Sequence, residues 1–307
     1  MGGSQLVTPQ NFDVVVVGGG PAGLAAALWL GRYRRSVCVL DSGEPRNQPT
    51  WAVHGFPGLP EIPPLTLQRR LAEQAEAAGA RLRPLAAVAI RGIKNEFELA
   101  TTDGGTVRAR RVLLAFGRRD RLPELDGLPE AYGTSVFHCP DCDGPTVLGK
   151  SIAVLGSDRD AAALALYLTP WADAVVLLPG ADALDAELAT RLARAAVAVI
   201  PGTVVRLESE DGMLRSVHFE GGRQLEADAL FFHLGTYSPC DLHAHLGCRT
   251  DAGGHIEVDR AQETSVPGVY AAGDITGHPY LAIVAAAAGV RAALAMHRSL
   301  LPAALEL

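Results

Sequence analysis

The chain has 307 residues, 48% of them hydrophobic and 20% charged, which fits a globular protein of two ordinary domains with sizeable cores. A formal net charge of −7 argues against a nucleic-acid partner, and the apolar runs are too short or too glycine-broken to span a bilayer. Five cysteines, two of them in a CxxC, argue against a secreted disulfide framework and for a reducing, cytoplasmic setting. No basic segment precedes an apolar one at the N-terminus, so no signal peptide is expected.

Residues 1–11 read as a leader outside the fold. Phe12-Asp13-Val14-Val15-Val16-Val17 has the pattern of a strand buried on both faces. It runs into Gly18-Gly19-Gly20-Pro21-Ala22-Gly23 and then a helix, so GxGxxG stands in the strand–turn–helix context that a dinucleotide pyrophosphate requires. The next strand, Ser36-Val37-Cys38-Val39-Leu40, delivers Asp41, an acceptor for ribose hydroxyls. The alternative is a Gly-rich turn without a nucleotide.

Arg46-Asn47 and His54-Gly55-Phe56-Pro57-Gly58 form an irregular Gly/Pro-rich loop, with His54 either a cofactor neighbour or a polar loop residue. Residues 65–78 carry helical spacing, and 84–116 read as strands around an Asp103-Gly104-Gly105 hairpin, the last ending at Gly117. Arg118, Arg119 and Arg121 form either an anion site or, by preference, a solvated charged face.

His138-Cys139-Pro140-Asp141-Cys142-Asp143-Gly144 organises the chain's chemistry. A CxxC spacing suits a redox dithiol, because the second sulfur can resolve a mixed disulfide formed by the first. Pro140 is tolerated in a first helical turn, and Asp143 is placed to move a proton as thiolates exchange electrons. A zinc half-site is disfavoured, since Cys240 and Cys248 provide no second CxxC; no metal is expected.

A second strand–turn–helix follows: Ser151-Ile152-Ala153-Val154-Leu155, then Gly156-Ser157-Asp158-Arg159-Asp160-Ala161. Asp158 stands where the second fingerprint glycine belongs. It adds bulk and a like charge, and at ~4 Å with an effective dielectric near 20 two such charges repel by about 4 kcal/mol. Asp158 and Asp160 favour their own helix dipole instead. The next strand ends in Leu178-Pro179-Gly180, without an acid for a ribose or an Arg for a 2′-phosphate; Asp182 reads as a helix-start acid. Strand patterns around 203–234 complete this part. Near the C-terminus Thr264-Ser265-Val266-Pro267-Gly268-Val269-Tyr270-Ala271-Ala272-Gly273-Asp274 brings Asp274 to a loop ahead of a helix from about Tyr280 to Leu300.

GGGPAG, HCPDCDG and TSVPGVYAAGD, in this order, resemble the low-molecular-weight thioredoxin reductases of the pyridine nucleotide–disulfide oxidoreductase superfamily, from about Phe12 to Leu300. The resemblance implies an α/β fold of two Rossmann-like, three-layer ββα domains. The FAD domain (12–117 and 244–307) would be discontinuous, with an NAD(P)H-type domain (118–243) inserted and carrying the CxxC. It implies FAD on Gly18, Gly20, Gly23, Asp41 and Asp274; Pro21, Ala22, Arg46, Asn47, His54, Gly117 and Gly273 join them as candidate contacts. Cys142 would lie nearer the flavin, Cys139 would attack the partner disulfide, and Asp143 would be the acid/base. A homodimer is expected.

The departures concern the electron source. Where the family has GGGDSA, an HRR-type motif and Arg-Gln, this chain has Gly156-Ser157-Asp158-Arg159-Asp160-Ala161, Leu178-Pro179-Gly180 and Leu281-Ala282. These argue against NADPH and resemble the NADPH-independent branch, whose members use ferredoxin or another donor, or run as dithiol oxidases on oxygen. The expectation is an FAD-dependent dithiol/disulfide oxidoreductase acting on a thioredoxin-like protein or a small dithiol or disulfide, tilted toward the reductase-like group by Asp143. A conventional NADPH enzyme using Arg159, and a non-enzymatic flavin redox sensor, are the alternatives.

Overall fold

The computed structural model describes residues 10–181, 184–277 and 279–302. They form two compact units: residues 10–48, 62–119 and 237–302 in the first, and 49–61 with 120–236 in the second. The chain begins with β1 (Gln10–Val17), α1 (Pro21–Arg32), β2 (Val37–Leu40), α2 (Pro64–Ala77), β3 (Arg81–Arg83), β4 (Ala87–Ile93), β5 (Glu96–Thr101) and β6 (Thr106–Leu114). It continues through β7 (Arg119–Asp120), α3 (Leu128–Ala131), β8 (Val136–Phe137), α4 (Pro140–Asp143), β9 (Ser151–Leu155), α5 (Arg159–Leu168), β10 (Ala174–Leu178), α6 (Ala186–Arg194) and β11 (Ala198–Val199). Then come β12 (Val204–Glu210), β13 (Met213–Phe219), β14 (Gln224–Glu226), β15 (Ala229–Phe232), β16 (Thr236–Tyr237), α7 (Leu242–His245), β17 (Val269–Ala271) and α8 (Ala282–Ser299).

The first unit is built on one sheet in the order β3-β2-β1-β6-β5-β4, with β17 also on β6. The long β6 makes this possible: Thr106–Ala109 pairs antiparallel with β5, and Val112–Leu114 pairs parallel with β17. The valines of β1 bury both faces, as a strand between parallel neighbours must. One face packs under α1 and α8 through Leu24, Leu30, Ala292 and Met296; the other holds Phe97, Leu99 and Ile256. Gly289 permits the close approach of the two helices, since a Cβ there would meet the Ala22 carbonyl. Arg111, buried beneath α8, donates to Ser299 O (2.6 Å), Ser299 Oγ (2.9 Å) and Asn95 Oδ1 (2.7 Å), satisfying one of the carbonyls a helix end leaves open.

The second unit has a five-stranded parallel sheet, β11-β10-β9-β15-β8, and an antiparallel sheet, β12-β13-β14. The sequence predicts boundaries at 117/118 and 243/244, with 49–61 in the first part. The units divide instead at 119/120 and 236/237, because Leu242 and Cys248 are buried in the first unit's core. Residues 49–61 join the second unit, where Gly133 (φ +84°) lies against the Pro49 carbonyl. The arginine cluster is not one solvated face: Arg118 is buried and donates to the carbonyls of Gly253 (3.0 Å) and Gly254 (2.9 Å), while Arg119 pairs with Glu44 at 2.8 Å. Among the described residues no helix is long and apolar enough to cross a membrane.

Candidate active site

In the first unit, parallel register carries the cofactor candidates to one edge. Val17 pairs with Leu40 and Leu114, and Leu114 with Ala271. The segments that leave these strands, Gly18–Gly20, Asp41, Ala115–Gly117 and Ala272–Asp274, therefore share the carboxyl edge of the sheet, where open α/β sheets bind ligands. Gly18 sits at φ +108°, and a Cβ at Gly23 would strike the Gly18 carbonyl, so both glycines are required by the backbone. A Cβ at Gly20 would meet nothing within 4 Å, leaving that side of the loop open. No side chain among the described residues caps α1, and Pro21 occupies its first turn, so the remaining N–H groups carry no side-chain acceptor and suit an anion.

Asp41 is held ready: Oδ1 accepts from Gly19 N (3.0 Å) and Oδ2 from Gln68 Nε2 (3.2 Å). Asp274 pairs with Arg46 at 2.8 Å, both side chains being largely buried. The Arg46 guanidinium lies 4.6 Å from the Tyr280 ring centre, and the Tyr280 hydroxyl lies 2.6 Å from His255 Nε2. The open Gly20 side, the uncapped helix and a carboxylate at the tip of β2 fit a dinucleotide such as FAD. Asn47 and Gly117 (φ +67°, open on its Cβ side) also belong to this unit. His54 belongs to the second, its ring edge-on to Trp51 and its Nε2 buried without a hydrogen-bond partner.

The second unit repeats the strand–turn–helix with a different outcome. Gly156 (φ +141°) turns the chain, and the Asp158 carboxylate caps α5, its Oδ1 accepting from Ala161 N at 2.8 Å. The N–H that would face a pyrophosphate is already satisfied by a charge of the same sign. At the tip of β10, Leu178 and Pro179 are buried, and Gly202 N donates to Gly180 O at 2.7 Å. Asp182 lies outside the described residues.

Cys139 and Cys142 are joined in a disulfide across 5.3 Å between Cα atoms. Cys139 is the N-cap of α4 and its Sγ accepts from Cys142 N (3.2 Å); Pro140 takes the first helical position, where its missing N–H costs nothing. Asp143 is 6% exposed, and burial pushes its carboxyl up to about 7, into the range of a proton carrier at neutral pH. Gly144 is fixed by packing, since a Cβ there would lie 2.7 Å from the Trp171 ring. Asp141 accepts from the Tyr167 hydroxyl (2.7 Å). By contrast Cys38 is pushed up to about 11 by burial, and Cys240 and Cys248 are also raised by burial, as befits structural thiols.

Sequence reasoning missed Gln68, which grips both Asp41 and the Gly19 carbonyl (3.3 Å), and Tyr280 and His255 behind Arg46. It also missed Asp120 and Tyr132, which flank His138. Only His138 carried a signal, as the neighbour of Cys139; the others come from distant positions.

Residues 12–289 match the family described as pyridine nucleotide-disulphide oxidoreductase. The chain is 31% identical over 280 residues to thioredoxin reductase tcpT of Claviceps purpurea (strain 20.1), covering 87% of each protein. It is 29% identical over 290 residues to thioredoxin reductase of Bacillus subtilis (strain 168), covering 86% of each. Among solved structures, HlmI superposes with a TM-score of 0.89 at 36% identity, over 94% of this chain and 92% of that one. Thioredoxin reductase from Giardia duodenalis gives 0.85 at 26% identity, over 94% and 98%. With the α/β fold, the open dinucleotide edge and a disulfide that fits a redox pair, these similarities place the chain in the pyridine nucleotide-disulphide oxidoreductase family, as an FAD-dependent oxidoreductase of the thioredoxin reductase type.

Proposed function

We propose that this enzyme exchanges electrons between FAD and the Cys139/Cys142 pair and does not draw them from NADPH. The observation that carries this reading is the contrast between two equivalent helix starts: α1 is open, whereas α5 is capped by the Asp158 carboxylate. FAD, when bound, supplies a two-electron redox centre. Gly18, Gly20, Pro21, Ala22 and Gly23 would hold its pyrophosphate, Asp41 a ribose, and Asp274 with Arg46 the ribityl side; Asn47, Gly117 and Gly273 border the same edge.

In the reductive direction the Cys139 thiolate attacks a partner disulfide, the partner's S–S bond breaks, and Cys142 resolves the mixed disulfide. In the oxidative direction a dithiol substrate opens the Cys139–Cys142 bond and leaves as its own disulfide. Asp143 holds or releases the proton beside Cys142 in either case. The reading extends to a thioredoxin-like protein or a small dithiol or disulfide as partner, ferredoxin-type donors or oxygen as the other redox partner, and a cytoplasmic homodimer.

Anaerobic stopped-flow absorbance of the FAD-loaded protein, mixed separately with NADPH and with dithiothreitol, tests it. Bleaching by the dithiol and not by NADPH is expected. Oxygen uptake with peroxide release then identifies the oxidative direction. Fast bleaching by NADPH overturns the proposal in favour of a conventional reductase.

A further inference from the structure

The stretch from His138 to Asp143 holds two acids, Asp141 and Asp143, and one basic side chain, His138. Carboxylates beside a dithiol oppose thiolate formation, and an imidazolium favours it. His138 leaves the end of β8 and immediately precedes Cys139. Its Nδ1 lies 3.0 Å from the Tyr132 hydroxyl at the end of α3, and its Nε2 lies 3.4 Å from the Asp120 carboxylate on β7. The Asp120 side chain is 8% exposed and that of His138 27%.

The Asp120 carboxylate accepts only and, as an opposite charge close to Nε2, favours the charged ring, in which Nδ1–H would donate to the Tyr132 hydroxyl. The ring is packed as well as hydrogen-bonded, with the Tyr132 and Phe232 ring centres at 6.0 and 6.3 Å. Of the two acids that follow in sequence, Asp141 accepts from the Tyr167 hydroxyl, and burial pushes the Asp143 carboxyl up to about 7, which lessens its charge at neutral pH.

We propose that His138, oriented by Asp120 and Tyr132, is a positioning residue that supplies the positive charge stabilising the Cys139 thiolate. This rests on the reading of Cys139 and Cys142 as the redox pair. The step it serves balances without moving a proton on His138. The Cys139 thiolate forms a bond to a substrate sulfur, the substrate S–S bond breaks, and the leaving sulfur carries away the negative charge.

The test uses the full-length, FAD-loaded, reduced protein with Cys142→Ser, alkylated by iodoacetamide from acid to alkaline pH, with modification of Cys139 read by peptide mass spectrometry. The Cys139 midpoint is expected below the ordinary thiol value of about 8.5. His138→Gln should raise it by about one unit and slow alkylation at neutral pH nearly tenfold, and His138→Arg should restore it. A wild-type midpoint at or above about 8.5, a His138→Gln shift under about 0.3 unit in protein that retains FAD, or an Arg variant that behaves like Gln overturns the proposal. Alkylation needs no turnover. A shifted midpoint in protein that turns over no thiol would therefore refute the proposed function and leave this inference standing.

Discussion

Replacing Asp158 by Gly isolates the feature on which the proposed NADPH independence rests. The carboxylate caps α5 through Ala161 N at 2.8 Å and occupies the position of the second fingerprint glycine, the one that lets a backbone approach a pyrophosphate. Two unit charges at ~4 Å repel by about 1 kcal/mol in bulk water and about 4 kcal/mol at an effective dielectric of 20. Asp158 is exposed, so the true value falls toward the lower end. These limits correspond to about fivefold and about 700-fold in affinity. Replacing an Asp cap by Gly costs only a few tenths of a kcal/mol, roughly, so the fold is not at risk. Asp158→Gly should therefore gain at least about fivefold in the apparent NADPH affinity for anaerobic flavin bleaching, with dithiothreitol bleaching unchanged. A stable variant whose response to NADPH equals that of the wild type would show that Asp158 does not exclude the nucleotide.

Asp143→Asn should alter the pH dependence of stability. The folded carboxyl titrates near 7 and the unfolded one at 3.8, so the native state binds the extra proton between them and stability falls as pH rises through that window. Urea unfolding of the oxidised protein at pH 5 and pH 8 should show this loss in the wild type, with a ceiling of about 3 kcal/mol between those two pH values, and its absence in the variant. Arg111→Met leaves the Ser299 carbonyl and Asn95 Oδ1 without their buried donor, and should cost about 3 kcal/mol by the same method; a neutral result would mean water replaces the guanidinium. Gly289→Ala drives a methyl into the Ala22 carbonyl and should destabilise by about 1–3 kcal/mol while weakening FAD retention on gel filtration, since α1 must shift; unchanged retention would refute the coupling.

The local signals were legible because they are written in consecutive residues. Helical spacing over 65–78 became Pro64–Ala77, the Asp103-Gly104-Gly105 turn joins β5 to β6, and the helix expected from Tyr280 to Leu300 runs from Ala282 to Ser299. The capping role of Asp158 was likewise readable, since an acid before a helix satisfies that helix's own N–H groups. The arginine cluster misled because charge alone does not reveal burial: Arg118 is spent on two loop carbonyls 135 and 136 residues away.

By itself the sequence determined which stretches become strands, turns and helices, where two dinucleotide-type loops stand, that one of them is flawed, and which two sulfurs pair. These follow from periodicity, glycine conformations and a CxxC spacing, all local properties. Tertiary structure decided the rest. It gathered the ends of β1, β2, β6 and β17 on one edge, set Gln68 on Asp41 and Arg46 on Asp274, and moved 49–61 into the second unit. It also buried Asp143 and brought Asp120 and Tyr132 to His138. Burial and long-range pairing set the protonation of a carboxyl or an imidazole, and neither can be computed from neighbours along the chain, because both depend on which surfaces are removed from water together.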